Sequence, residues 1–142
     1  MQGVLNMNLQ PIKVLLIEDN KGDSAIILEM LKESDNAHFE PIHTPRLKAG
    51  LLLLENEKFD VILLDLGLPD SEGLKSFKVI IKKNPTIPTI ILTGLANEEI
   101  GIKAIKYGAQ DYLVKAEFNG TLLVRAIQYA IERKKLEGLF IY

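Results

Sequence analysis

Five side chains able to do chemistry each close a short apolar run. Glu18 and Asp19 follow Val14 to Ile17, Asp65 follows Val61 to Leu64, Thr93 ends the run from Thr89, and Lys115 ends the run from Asp111. If these runs are parallel strands of one sheet, all five side chains gather at one edge although they are dispersed along the chain. Ligands of open α/β sheets bind there, outside the carboxyl ends of the strands. Three carboxylates so close raise one another's pKa unless something positive intervenes. A hard divalent cation meets that need, because Mg²⁺ takes oxygen ligands and commonly keeps waters beside one or two carboxylates. Lys115 could neutralise the remainder. Taken singly, each residue reads as a solvated strand end, so the weight rests on all five being at the correct ends.

Other chemistries find little support. There are no cysteines, which excludes disulfides, thiolate zinc sites, thiol nucleophiles and redox dithiols. His38 and His43 flank the weak run Phe39 to Ile42 without a matching acidic cluster, and are expected at the surface or a sheet edge. Gly22 alone is no phosphate-binding fingerprint, and no GxGxxG, GxxxxGKS/T or GxSxG pattern occurs. Lys82-Lys83 and Arg133-Lys134-Lys135 fall near expected helix ends, where the helix dipole favours cations.

The elements that must position these residues alternate between two periodicities. After the first apolar run, Ile27, Met30 and Leu31 mark one face of a helix starting near Asp23. Phe39 to His43 is a weaker second strand, and Leu47, Leu51 and Leu54 mark a second helix. Val61 to Leu64 is continuously apolar, as a strand covered on both faces should be. Gly67, Pro69, Asp70 and Gly73 punctuate a loop before a third helix through Phe77, Ile80 and Ile81, which Asn84 and Pro85 stop. Thr89 to Thr93 is the fourth strand. Asn97 is placed to cap a fourth helix with Glu98 and Glu99 in its first turn and a left-handed exit at Gly108. Asp111 to Lys115 is the fifth strand, and Asn119 opens a last helix through Leu123, Ala126, Ile127 and Ala130, continuing to about Leu136. Right-handed helical crossovers between parallel strands then give an α/β, doubly wound sheet built from five βα units.

The chain has 142 residues, enough for one domain burying roughly 70% of its unfolded surface. Hydrophobic residues make up 47%, and 17 Lys+Arg stand against 19 Asp+Glu, so disorder is disfavoured and no broad basic field exists to hold nucleic acid. The longest apolar stretches, such as Gly50 to Leu54 and Ile87 to Leu92, are far shorter than the ~20 residues of a membrane helix. The opening segment MQGVLNMNLQ has no charged region followed by an apolar core, so no secretory signal and a cytoplasmic location are expected. The expected division is an N-terminal arm at 1–10, one domain at 11–136 and a C-terminal tail at 137–142.

At this point the sequence resembles a known family, the receiver domains of two-component response regulators, and is chemotaxis-receiver-like. The resemblance spans about residues 11–136 and rests on four segments: Val14 to Asn20, Val61 to Gly73, Ile90 to Gly94, and Gly108 to Lys115. It implies the flavodoxin-like strand order 2-1-3-4-5. It also implies that Asp65 accepts a phosphoryl group from a phosphohistidine on a sensor histidine kinase or phosphotransfer protein. Glu18 and Asp19 match the acidic pair that holds Mg²⁺ with the Asp65 side chain and the backbone carbonyl of Gly67. Lys115 matches the lysine that pairs with Asp65 and then with the phosphoryl oxygens, Thr93 the hydroxyl that turns toward the phosphoryl group, and Tyr112 the aromatic that moves inward with it. Phosphoryl transfer asks mainly for positioning and charge stabilisation, which such a set supplies.

Some positions depart from the commonest family pattern. Ala116 follows Lys115 where many members have a cis proline, and a trans bond is expected because a non-proline cis bond costs ~2.5–4 kcal/mol. Glu18 replaces aspartate and lengthens one arm of the acidic pair. Gly67 leaves space near Asp65, whereas Leu95 is apolar and would not orient a hydrolytic water. The resemblance implies a signalling module whose own chemistry is limited to self-phosphorylation and self-dephosphorylation. Two other readings stay open: a Mg²⁺-dependent phosphohydrolase with an aspartate nucleophile, and a receiver-like scaffold that is never phosphorylated. An effector, and phosphorylation-dependent pairing of two copies, are expected at the face of the fourth helix, fifth strand and fifth helix. Leu136, Leu139 and Phe140 extend an apolar stripe of that last helix.

Overall fold

The computed structural model describes residues 10–139. The expected arm at 1–10 and the end of the expected tail lie almost wholly outside them. The strands are β1 (Ile12–Ile17), β2 (Phe39–Thr44), β3 (Val61–Asp65), β4 (Thr89–Thr93) and β5 (Asp111–Val114). The helices are α1 (Lys21–Lys32), α2 (Leu47–Asn56), α3 (Leu74–Lys83), α4 (Glu98–Lys106) and α5 (Gly120–Gly138). All strand pairs are parallel, in the order β2-β1-β3-β4-β5.

Strand side chains alternate between two apolar layers, following the period of two in a pleated sheet. Val14, Leu16, Leu63 and Leu92 meet Ile27 and Leu31 of α1 and Leu123 and Ile127 of α5 on one face. Leu15, Ile17, Ile62 and Ile91 meet Leu47 of α2, Phe77 and Ile80 of α3 and Ala104 of α4 on the other. Every residue of β3 and β4 is buried, which is why Val61 to Leu64 and Ile90 to Leu92 are continuously apolar. The run of β2 is weaker for a positional reason: it is an edge strand, and Pro41, paired with Val14, is tolerated where one side of the ladder is free.

Helix ends differ from the sequence expectations in three places. α1 starts at Lys21, because Asn20 caps it by accepting a hydrogen bond from the Asp23 N–H at 2.9 Å. Asn97 makes no capping bond with its side chain; the chain enters α4 through a 3₁₀ turn at Leu95–Asn97, and the Asn97 backbone lacks the extended conformation a cap requires. α5 runs past Leu136 to Gly138, held by Gln110, which donates to Glu137 at 2.6 Å and accepts from Arg133 at 3.2 Å. Gly108 does leave α4 in the left-handed region, at φ 116°, and a Cβ there would lie 2.6 Å from Ile81. No cis peptide bond occurs among the described residues, so Ala116 is trans as expected.

One long-range cap was not legible in the sequence. α2 has no capping side chain of its own; Asp70, from the loop after β3, accepts from the N–H groups of Leu47 at 2.9 Å and Lys48 at 3.0 Å. Slight burial raises the Asp70 pKa, but these backbone N–H groups and the nearby Arg46 charge outweigh it, so the carboxyl sits below its usual value. Asp70→Ala should therefore cost about 1 kcal/mol at neutral pH, a cap-sized loss at an exposed site. A depressed pKa contributes stability above the unfolded value that is lost as pH falls through the folded one, so the gap between variant and wild type should close in acid. Urea midpoints at neutral pH and below pH ~4 check it; a gap that persists in acid would remove the charged cap from the explanation. Among the described residues no helix is long and apolar enough to cross a membrane.

Candidate functional site

Strand register decides which side chains meet. Ile17 pairs with Leu64, placing Glu18 beside Asp65; Asp65 pairs with Leu92, placing Thr93 next; and the Lys115 N–H donates to the Thr93 carbonyl at 2.8 Å. The carboxyl ends of β1, β3, β4 and β5 thus lie along one edge. Asp19, Asp65, Gly67, Thr93 and Lys115 line a cavity of about 290 Å³ there.

Lys115 is the electrostatic centre of this edge. Its Nζ lies 2.7 Å from Oε1 of Glu18, 3.2 Å from Oδ1 of Asp65 and 3.2 Å from Oδ2 of Asp23. The Lys115 side chain is only 19% exposed, with Asp23 from the first turn of α1 in contact with its ammonium. Burial alone would lower the Lys115 pKa; Glu18, Asp65 and Asp23 outweigh that and raise it above its usual value. Glu18 is fully buried. Burial first, and then the adjacent Asp65 carboxyl, push its pKa up to about 7 against the opposing pull of Lys115. The Glu18 backbone is anchored too: its carbonyl accepts from Nε2 of His43 at 2.7 Å. His43 is thus an exposed edge histidine with one bond to the site, and His38 is exposed away from it.

The donor set suits a hard cation. Glu18, Asp19 and Asp65 can each offer one oxygen, all within 4.8 Å of one another. Oε1 of Glu18 is buried and, although ion-paired with Lys115, has no aligned hydrogen bond among the described residues. A buried carboxylate oxygen left in that state beside two further carboxylates is what a divalent cation would satisfy. Gly67 donates its N–H to Oδ1 of Asp65 at 3.1 Å, and a Cβ on Gly67 would sit at an ordinary contact distance, 3.7 Å, from both Asp65 oxygens.

Thr93 and Tyr112 occupy different settings. Thr93 is 2% exposed, and its hydroxyl has no hydrogen-bond partner among the described residues. Tyr112 is half-buried, its ring packed against Gly101 of α4 so closely that a Cβ there would lie 2.9 Å from the ring. Leu95 is 59% exposed at the surface of the turn. The residue that sequence reasoning missed is Asp23: its place in the first turn of α1 was legible, but its contact with Lys115 needed the fold.

Comparison with known proteins bears on the fold and the family. The model of the response regulator receiver domain family matches residues 14–128. An NtrX-like response regulator of Rickettsia bellii is 34% identical over 128 residues, covering 89% of this chain and 26% of that protein. The cell cycle response regulator CtrA of Brucella ovis is 33% identical over 125 residues, covering 87% of this chain and 52% of that protein. The chain therefore spans about half, or less, of the length of these relatives. A response regulator receiver domain protein from Clostridium thermocellum superposes with a TM-score of 0.74 at 32% identity, covering 88% of this chain and 98% of that one. A CheY-like receiver domain protein from Methanospirillum hungatei gives 0.72 at 25% identity, over 90% and 99% of the two chains. With the strand order, the acidic edge and the family match in agreement, this chain belongs to the response regulator receiver domains of two-component systems.

Proposed function

We propose that the chain works as a phosphorylation-controlled switch: Asp65 accepts a phosphoryl group from the phosphohistidine of a sensor histidine kinase or phosphotransfer protein in the presence of Mg²⁺. In the transfer, one carboxylate oxygen of Asp65 forms the bond to phosphorus while the P–N bond of the donor breaks. The imidazole leaves with the electron pair and takes a proton from solvent. The observation that carries this reading is the placement of Asp65 at the cavity, within 3.2 Å of the Lys115 ammonium and grouped with Glu18 and Asp19. Mg²⁺ held by Glu18, Asp19 and Asp65, with the Gly67 carbonyl as the expected backbone ligand, would neutralise charge on the phosphoryl oxygens. Lys115 pairs with those oxygens as they replace its contact with the free carboxylate, and Thr93 turns its unpartnered hydroxyl toward them.

The expected output is a change at the face of α4, β5 and α5. Tyr112 lies on β5 against α4, and Thr93 pairs with Val114 on the same strand, so a shift at Thr93 would reach this face through β5. An effector or a second copy of the chain would dock there, and Ile102 and Ile105 of α4 are 47% and 40% exposed. Water attack on the acyl phosphate returns the carboxylate and inorganic phosphate, which makes the module a timer rather than a turnover enzyme. A cytoplasmic setting fits a cytosolic kinase partner. Intact-mass measurement after mixing with Mg²⁺ and acetyl phosphate tests the central step. One phosphoryl increment is expected in the wild type and none in Asp65→Ala or in excess chelator. An increment that persists in Asp65→Ala would overturn the assignment. Light scattering and amide exchange with a phosphoryl mimic then test the face.

A further inference from the structure

Asp23 stands outside the set of residues expected to do the chemistry, yet it touches it. Lys115 donates a hydrogen bond to Oδ2 of Asp23 at 3.2 Å, while the same ammonium serves Asp65 and Glu18. The position of Asp23 is set by the start of α1, since its N–H is the one that Asn20 caps, and a carboxylate is favoured in a helix's first turn. Its side chain is 36% exposed and lines the 290 Å³ cavity with Asp19 and Asp65. Among the described residues, Lys115 is the single basic residue in that lining.

The charge count then has a consequence for what can enter. With Glu18, Asp19 and Asp65 ionised to hold it, a divalent cation and the Lys115 ammonium would bring three positive charges against four carboxylates, and without Asp23 the balance would be even. A cleft lined by an excess of one sign repels ligands of that sign. Asp23 also keeps one of the ammonium's hydrogen bonds engaged.

We infer that Asp23 is a specificity-determining residue, which disfavours fully anionic phosphoryl donors relative to donors carrying a positive charge beside the phosphoryl group. This rests on Asp65 being the acceptor. Two small donors separate the cases. Acetyl phosphate is a dianion; its P–O bond breaks and acetate leaves with the electron pair. Phosphoramidate carries an ammonium on phosphorus; its P–N bond breaks and ammonia leaves with the pair. In both, the new bond is from Asp65 to phosphorus.

The test is the initial rate of labelling of the full chain at saturating Mg²⁺, read by intact mass, for the wild type, Asp23→Asn and Asp23→Glu. Asp23→Asn should be labelled by acetyl phosphate roughly tenfold faster, with the phosphoramidate rate within about twofold of the wild type. Added salt should speed the wild-type reaction with acetyl phosphate by screening the repulsion, and leave the Asn variant nearly unaffected. Asp23→Glu should keep the wild-type donor ratio. A purely structural role would move both donors together and would not respond to salt. An unchanged donor ratio in Asp23→Asn overturns the inference while Asp65 remains the acceptor. A wild type that takes no label from either donor overturns both.

Discussion

Lys115→Ala is expected to lower the unfolding free energy of the metal-free domain by about 3 kcal/mol, with excess Mg²⁺ restoring most of the loss. The reason lies in what the ammonium neutralises. Glu18 is fully buried and Asp65 is 5% exposed, and Lys115 is the cation within ion-pair distance of both. Breaking a buried pair by removing one partner typically costs ~3–5 kcal/mol, because a charge is left without compensation. The lower end applies here for two reasons. The Lys115 side chain keeps 19% exposure, and Glu18, with its pKa pushed up to about 7, can escape by taking a proton. Urea denaturation of the wild type, Lys115→Ala and Lys115→Met, with chelator and with Mg²⁺, is the measurement. The methionine variant keeps the apolar stem, so an equal loss in both variants assigns the effect to charge. If Lys115→Ala unfolds with the wild type, the acidic edge does not depend on this ammonium.

Asp65→Asn should show the opposite sign: greater stability without metal and complete loss of the phosphoryl increment. The Asp65 carboxyl is one of the two main causes of the raised Glu18 pKa, so an uncharged amide relieves like-charge crowding in a buried site. A gain of about 1 kcal/mol is expected, equivalent to less than one pKa unit of relief at Glu18. Mg²⁺ should reverse the order. A ligand that binds only the native state stabilises by RT ln(1 + [L]/Kd), and the wild type has the complete set of three carboxylates within 4.8 Å. Thermal melts with and without Mg²⁺ check this: the two curves should exchange places. If Mg²⁺ shifts both proteins equally, Asp65 is not among the groups that bind it. Such a cost in stability is a common property of functional sites, where groups are held against their electrostatic preference.

The sequence by itself determined the layers and their order of appearance. The runs Val14 to Ile17, Val61 to Leu64 and Ile90 to Leu92 have the length and continuous apolarity of central strands, and the spacing of Ile27 with Leu31, or Leu123 with Ile127, is that of helices covering them. These signals are local, because burial and periodicity are recorded residue by residue. Glu18, Asp19, Asp65 and Thr93 were likewise marked by closing those runs and Lys115 by closing the run from Asp111, and the structure brings all five to one edge. Helix boundaries were less legible. Asn97 has a capping residue's chemistry without its backbone conformation, and α5 runs on to Gly138, where Gln110, from another loop, donates to Glu137. What only the tertiary structure decided were contacts between residues with no shared local pattern: Asp70 capping α2, His43 holding the Glu18 carbonyl, Gly101 admitting the Tyr112 ring, and Asp23 reaching Lys115. Each arises where two elements distant in sequence are packed at a fixed register and distance. Hydrogen bonds and ion pairs act over a few ångströms, and such proximity follows from packing of the whole sheet rather than from any one segment.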